Sequence, residues 1–182
     1  GLTEVALLAG TGNVTALTVG TGDVLSADAA VDITATTLDF TVTDGDFGDT
    51  DTAAGNAIET TVTDITVDSS GNNGSQFIRE TDGLAELLLA AGSGNVSLET
   101  TAAGDVLSAD SAVDISGTTV SVTIADGDYG DTDTATGNAI ETTAGDLSVD
   151  TSANNNNQFI RETDGLTEVA LLAGTGNVTA LT

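Results

Sequence analysis

The chain has no cysteine, histidine, methionine, tryptophan or proline, and its two basic residues, Arg79 and Arg161, are outnumbered by 29 acidic ones. The absence of cysteine and histidine excludes disulfide bonds, zinc, haem and iron–sulfur sites, and Ser-His or Cys-His nucleophiles. A formal net charge of −27 repels phosphate, which excludes nucleic acid and anionic membrane surfaces as partners. No apolar run approaches the roughly 18 residues that span a bilayer, so we expect no membrane segment.

Aromatic residues make up only 3% of the chain, so smaller apolar residues must fill its interior. A core of Val, Ile, Leu and Ala suits a narrow interior better than a wide globular one. Apolar and polar residues alternate in 31–35, 38–42 and 120–124, which is the period of a β-strand. Clusters of Gly, Asn and Asp separate such segments, and no stretch carries a capped helical stripe. We therefore predict an all-β fold.

The sequence repeats itself with a period of 82 residues. Residues 1–82 and 83–164 are identical at 53 positions, with no insertion or deletion between them. Residues 165–182 are identical to residues 1–18. We interpret these segments as repeat 1, repeat 2 and the start of repeat 3 in one continuous repeat architecture. Because the chain opens inside a repeat, we expect it to be a segment of a longer array.

Turn clusters divide each repeat into about four segments of about 20 residues, the length of one coil in a parallel β-solenoid. The constant spacing supports this fold, because an extra residue within a coil would disrupt the side-chain stacks on both sides. We predict a continuous parallel β-solenoid with about four coils per 82-residue repeat and about nine coils in the chain. The alternative is a row of small β-sandwiches, which would ordinarily show linkers, proline and a large central aromatic residue.

The repeat contains GNVTALTVGTGDVLSADAAVDITATTLDFTV, GDFGDTDTAAGNAIETTVTDITV and QFIRETDGL. These segments resemble the repeats of filamentous-haemagglutinin-like large exoproteins and related bacterial β-strand-repeat surface adhesins, and the resemblance covers all 182 residues. The resemblance implies a right-handed parallel β-helix and a secreted, extracellular or cell-surface location. It also implies an elongated shaft that serves adhesion or the building of a biofilm matrix. The chain departs from that family in its high Asp content and in the segment DGDFGDTDT.

Two clusters of aspartates at equivalent positions of the repeats form the candidate metal sites. The spacing D-x-D-x-x-D-x-D places several hard oxygen ligands on a flexible loop, which suits Ca²⁺. It matches neither the EF-hand loop nor the glycine-rich calcium nonapeptide. The alternative is a solvated loop whose Asp side chains bond the neighbouring backbone. The candidate calcium ligands are Asp44, Asp46, Asp49, Asp51, Asp126, Asp128, Asp131 and Asp133.

Arg79 and Arg161 occupy the same motif, Phe-Ile-Arg-Glu-Thr-Asp-Gly, and four coils per repeat would place them in register. Parallel β-helix enzymes that cut acidic polysaccharides use arginine beside calcium. The competing interpretation is structural, with each arginine paired to an acidic residue of its own or of an adjoining coil, which relieves like-charge stacking. Repetition of a motif along a shaft argues against a single active cleft, so we predict no enzymatic activity.

Three functional hypotheses remain. The first is a non-catalytic structural segment of an extracellular filament or adhesin shaft, which needs no cofactor and whose partner is itself, end to end or in a longer covalent array. The second is a calcium-stiffened adhesive module that binds matrix or host glycans. The third is a polysaccharide-active β-helix.

Overall fold

The computed structural model describes all 182 residues as an all-β protein without a helix. No helical segment is therefore present that is long and apolar enough to cross a membrane. The strands are β1 Leu7–Leu8, β2 Val14–Thr18, β3 Ile33–Thr34, β4 Thr37–Val42, β5 Ile58–Thr61, β6 Asp64–Asp68, β7 Gln76–Glu80, β8 Glu86–Ala90, β9 Val96–Ala103, β10 Ile115–Asp126, β11 Ile140–Asp150, β12 Gln158–Glu162, β13 Glu168–Leu172 and β14 Val178–Leu181.

The chain winds between two ladders of strands, and every strand pair is parallel. Ladder A contains β1, β3, β5, β7, β9, the second halves of β10 and β11, and β13. Ladder B contains β2, β4, β6, β8, the first halves of β10 and β11, β12 and β14. This is a parallel β-solenoid, as predicted. The alternative of tandem β-sandwiches is wrong, because sandwiches are built from antiparallel strands.

The number of turns follows from one column of paired residues in ladder A. This column runs through Leu2, Val24, Phe47, Gln76, Val96, Val120, Leu147 and Val169. The column spans seven turns of 20 to 29 residues, the shortest from Gln76 to Val96 and the longest from Phe47 to Gln76. The prediction of about nine coils in the chain is therefore wrong, because long surface loops lengthen several of the turns.

The 82-residue repeat spans three and a half turns, close to the predicted number of about four. Ile78 pairs with Leu98 in ladder A, whereas the equivalent Ile160 pairs with Ile140 in ladder B. Each position of repeat 1 thus reappears in the other ladder in repeat 2, and only after two repeats does the chain return to the same ladder.

Alternate residues of each strand point into one core that passes through both repeats. It contains 30 buried apolar residues, almost all of them aliphatic. In β4, for example, Leu38, Phe40 and Val42 are buried while the residues between them are not. Phe40 of ladder B contacts Phe47 of ladder A across the core, with 5.1 Å between ring centroids and planes tilted by 58°. The interior is narrow, as the low aromatic content predicts.

Candidate functional site

The two predicted calcium loops lie outside the core at equivalent corners of the solenoid. The first connects β4 to β5, and the second connects β10 to β11. Their middle residues, Phe47 and Tyr129, are fully buried and bridge to Gln76 and Gln158 of the next turn. The aspartates around Phe47 and Tyr129 therefore lie in loops that are each held to the solenoid by a buried aromatic side chain.

The first two aspartates of each loop bond to the following turn. Asp46 Oδ1 accepts the backbone N–H of Ser75 at 2.6 Å, and Asp128 Oδ1 accepts that of Asn157 at 2.7 Å. Asp44 accepts a hydrogen bond from the Asn72 amide, and Asp126 accepts one from Asn156 at 3.2 Å. These four carboxylates fasten one turn to the next.

The last two aspartates of each loop bond within the loop or face solvent. Asp51 Oδ1 accepts from Asn56 Nδ2 and the Ala53 N–H, and these donors lower the pKa of Asp51. Asp133 makes the equivalent bonds, and its pKa is lowered by the Ala135 N–H and the Asn138 amide. The side chains of Asp49 and Asp131 are exposed. No three carboxylates among the eight predicted ligands converge within 4.8 Å, so calcium at these loops stays a prediction.

Three other carboxylates do converge, and sequence reasoning missed them. Glu86, Asp110 and Asp114 each place one oxygen within 4.8 Å of the others. Glu86 lies in β8, and the two aspartates lie in the loop that leads to β10, one turn further along. Stacking of turns brings them together over 24 to 28 residues, so no compact motif marks the cluster.

Each carboxylate of this cluster is held by a local donor. The Ala109 N–H donates to Glu86 Oε2 at 2.8 Å, and the Ala112 N–H donates to Asp110 Oδ1 at 2.6 Å. Asp114 Oδ1 accepts from Ser108 Oγ at 2.9 Å, and Asp114 Oδ2 accepts from the backbone N–H of Glu141 at 2.6 Å. The donors fix the positions of the three carboxylates while other lone pairs remain available.

Glu141 of β11 is a fourth acidic side chain, and it lies beside one member of this group, Asp114. The Glu141 side chain is 98% buried, since its relative exposure is 2%, and neither of its oxygens has a hydrogen-bond partner. Its carboxylate lies beside Asp114: burial first, and the charge of Glu141 to a smaller extent, raise the pKa of Asp114 to about 8. Burial, followed by the charges of Asp110, Asp64 and Glu141, also raises the pKa of Glu86. Four acidic side chains therefore share a site with no cation of the chain in it.

The equivalent corner of repeat 1 is built differently. Asp32 there accepts from Ser26 Oγ and from the Glu59 N–H, as Asp114 does in repeat 2. Glu59, however, has a partner, because its Oε1 accepts the Gly55 N–H at 2.8 Å. Glu4, the counterpart of Glu86, is exposed, and no cluster of three carboxylates forms. The complete group occurs only in repeat 2.

The two arginines bond to other residues of the chain and lie in different ladders. Arg79 Nη1 contacts Glu99 Oε2 of the next turn at 3.0 Å and donates to the Thr52 carbonyl at 2.9 Å. Arg161 donates to the Thr134 carbonyl at 3.2 Å and has no carboxylate within 4.0 Å. The prediction that the two arginines are in register is wrong because of the half-turn in each repeat. Pairing of Arg79 with an adjoining coil is confirmed.

The two ends of the solenoid expose residues that are buried elsewhere. Leu87 is 1% exposed, whereas Val169 at the same position of the repeat is 53% exposed. Val96 is fully buried, and its equivalent Val178 is 43% exposed. Eight of the ten exposed large apolar residues belong to the end turns, namely Leu2, Leu8, Leu17, Val19, Val169, Leu172, Val178 and Leu181.

Comparisons with models of protein families, with curated proteins and with solved structures find no match to this chain. What the chain does must therefore be argued from its own geometry.

Proposed function

We propose that the chain is a non-catalytic structural segment of an extracellular filament or adhesin shaft, extended by copies of itself or by further covalent repeats. The proposal rests on one observation: at the end turns, positions of the repeat that are buried in the interior of the solenoid are exposed. Val169 and Val178 are half exposed, while their counterparts Leu87 and Val96 are buried by a following turn.

A further turn stacked on an end of the solenoid would cover the apolar residues exposed at that end. Burying a Val or Leu side chain stabilises an association by about 1.5–3 kcal/mol. The terminal strands β1, β2, β13 and β14 also pair on one side only, which leaves backbone N–H and C=O groups ready to extend the ladders. Apolar burial and strand pairing therefore both favour stacking along the axis.

Charge opposes association in any other direction. The chain has a net charge of −27, so the acidic surfaces of two copies repel one another. Growth along the axis brings apolar residues together, whereas lateral contact brings carboxylates together. The result is a long thin particle, which suits a shaft.

Sedimentation and electron microscopy of the 182-residue chain test the self-associating form. We expect concentration-dependent end-to-end multimers, and we expect the double variant Val169→Lys/Val178→Lys to remain monomeric. The matched control is Val31→Lys/Leu88→Lys, which places the same charges at the two exposed apolar residues away from the ends. Association of the end variant to the same degree as the control would contradict axial stacking.

The covalent form is tested by a longer chain in which residues 1–164 are duplicated ahead of 165–182. The junction introduces no new sequence, because residues 165–182 are identical to 1–18. Seven more turns should lengthen the particle by about 34 Å at the usual strand spacing of about 4.8 Å. Small-angle scattering that shows two separate bodies, rather than one longer rod, would exclude a continuous shaft.

A further inference from the structure

We propose that Glu86, Asp110 and Asp114 form a site for one divalent cation, with Ca²⁺ as the ion that its ligands suit, and that the buried Glu141 beside Asp114 adds its charge to the site. The site lies away from the two aspartate loops and is independent of the proposed role as a shaft. It is argued from the convergence of three carboxylates, the unpartnered Glu141, and the position of the group across successive turns.

The geometry fits a hard cation with oxygen ligands. Oxygens that bind one Ca²⁺ lie about 2.3–2.6 Å from it, so two of them are separated by at most about 5 Å. The oxygens of Glu86, Asp110 and Asp114 satisfy this limit, since all lie within 4.8 Å of one another. The chain has no histidine or cysteine, and soft-metal ligation is absent from the site. The exposed Asp110 and half-buried Glu86 leave the site open to water on one side.

Glu141 is the observation that points to a ligand. A buried carboxylate is ordinarily paired or hydrogen-bonded, because burial without a partner is strongly unfavourable. Neither oxygen of Glu141 accepts a hydrogen bond from an N–H or hydroxyl donor of the chain, and the side chain lies against the carboxyl group of Asp114. Arg161 of the adjacent strand does not neutralise the group, because it bonds to the Thr134 carbonyl and has no carboxylate within 4.0 Å. A cation held by the three converging carboxylates would also offset the charge of Glu141 beside Asp114.

Such an ion would join two consecutive turns of ladder B, and Asp114 links it to a third turn through the Glu141 N–H. Glu86 belongs to β8, Asp114 directly precedes β10, and Glu141 belongs to β11, and these strands are neighbours. The cation would replace electrostatic repulsion between turns with shared coordination. We therefore expect Ca²⁺ to raise the melting temperature of the whole solenoid.

Tyr129 provides a direct signal for occupancy. It is the only tyrosine in a chain without tryptophan, and its pKa is raised by burial and then by the charges of Asp114 and Glu162. Tyr129 is bridged to Val106, two residues before the Ser108 that donates to Asp114, so the phenol lies near the cluster. Excitation energy can then pass to a bound Tb³⁺ ion, a common substitute for Ca²⁺. We expect tyrosine-sensitised terbium emission that added Ca²⁺ suppresses. Tyr129→Phe should abolish the emission and keep the thermal shift with Ca²⁺.

Glu141→Gln is the decisive variant. In the presence of a chelator it should melt at or above the temperature of the parent chain, because it removes one of four clustered charges. It should lose both the terbium signal and the thermal gain with Ca²⁺. Asp110→Asn, at an exposed position, should weaken both signals without affecting the fold.

Two control variants distinguish binding at this site from the nonspecific attraction of cations to an acidic protein. Glu59→Gln removes the equivalent charge in repeat 1, where the cluster is incomplete, and Asp133→Asn removes one from the predicted calcium loop. Both should keep the full response to Ca²⁺. An equal Ca²⁺ gain in Glu141→Gln and the parent, or no gain in the parent at all, would overturn the proposal. Loss of the gain in Asp133→Asn alone would assign calcium to the loop.

Discussion

Ile78 and Ile160 are the same residue of the repeat, yet Ile78 pairs within ladder A and Ile160 within ladder B. Identical sequence therefore builds two different ladders of one solenoid. The local pattern of alternating residues determines that a strand forms. The number of residues in the preceding turns determines which ladder the strand joins.

The register of the ladders should be intolerant of insertions within strands. One alanine inserted between Ile78 and Arg79 in β7 turns Arg79 toward the core and moves the buried Glu80 outward. Burial of an unpaired charge is costly enough to prevent cooperative folding. The same insertion between Thr52 and Ala53, in an exposed loop, should shift the melting temperature little. Thermal melts followed by circular dichroism compare the two, and equal tolerance would contradict the register.

Acidification should stabilise the protein through Glu80. Glu80 is fully buried, accepts from Thr60 Oγ1 at 2.5 Å, and burial raises its pKa from 4.5 to about 7. The folded state therefore binds the proton more tightly than the unfolded chain, and the stabilising contribution is complete below about pH 4.5. It is lost as the pH rises to about 7.

Denaturation midpoints between pH 4.5 and 8 measure this effect, and we expect stability to fall across that range. Glu80→Gln should flatten the profile, although Asp32 and Asp114, whose pKa values burial likewise raises to about 7 and about 8, keep part of the slope. Asp49→Asn, at an exposed position, is the control for removal of one charge. A parent chain whose stability increases with pH would contradict the assignment.

The two arginines should differ in their contribution to stability. Arg79 has an ion pair with Glu99, whereas the equivalent Arg161 faces Leu181 and has none. Arg79→Ala should therefore destabilise more than Arg161→Ala, by about 1 kcal/mol or less, as for other partly exposed ion pairs. Urea titrations at low and high salt measure the difference. It should shrink with salt, and a difference that grows would exclude the ion pair as its cause.

Phe47 and Tyr129 allow a reciprocal exchange at one position of the repeat. Both are fully buried, and the Tyr129 hydroxyl has no hydrogen-bond partner. Tyr129→Phe should stabilise the chain by about 1–2 kcal/mol, because an unsatisfied buried hydroxyl is removed. Phe47→Tyr should destabilise it by a similar amount. Chemical denaturation measures both, and changes of the same sign would contradict this account of the core.

The sequence predicts the parallel all-β solenoid because the alternation of residues is local to each strand and the repeat has no insertion or deletion. It does not predict the half-turn, because the loop between β4 and β5 adds residues to a turn without adding a strand. The carboxylate cluster is also hidden, since Glu86 and Asp114 belong to different turns and meet only when the turns stack. The aspartate loops were visible as a motif, but most of their bonds go to the backbone or to amides of the next turn.

The half-turn offset between repeats has a consequence for any partner of a long array. Identical surface groups would be displayed in two staggered rows along the shaft, each row recurring about every 34 Å and the rows offset by about 17 Å. A partner with two binding sites would contact equivalent groups along one row. A small partner with a single binding site would find equivalent groups in both rows. The winding of the chain fixes the spacing between equivalent surface groups. Adding repeats therefore increases the number of these groups without changing the distances between them.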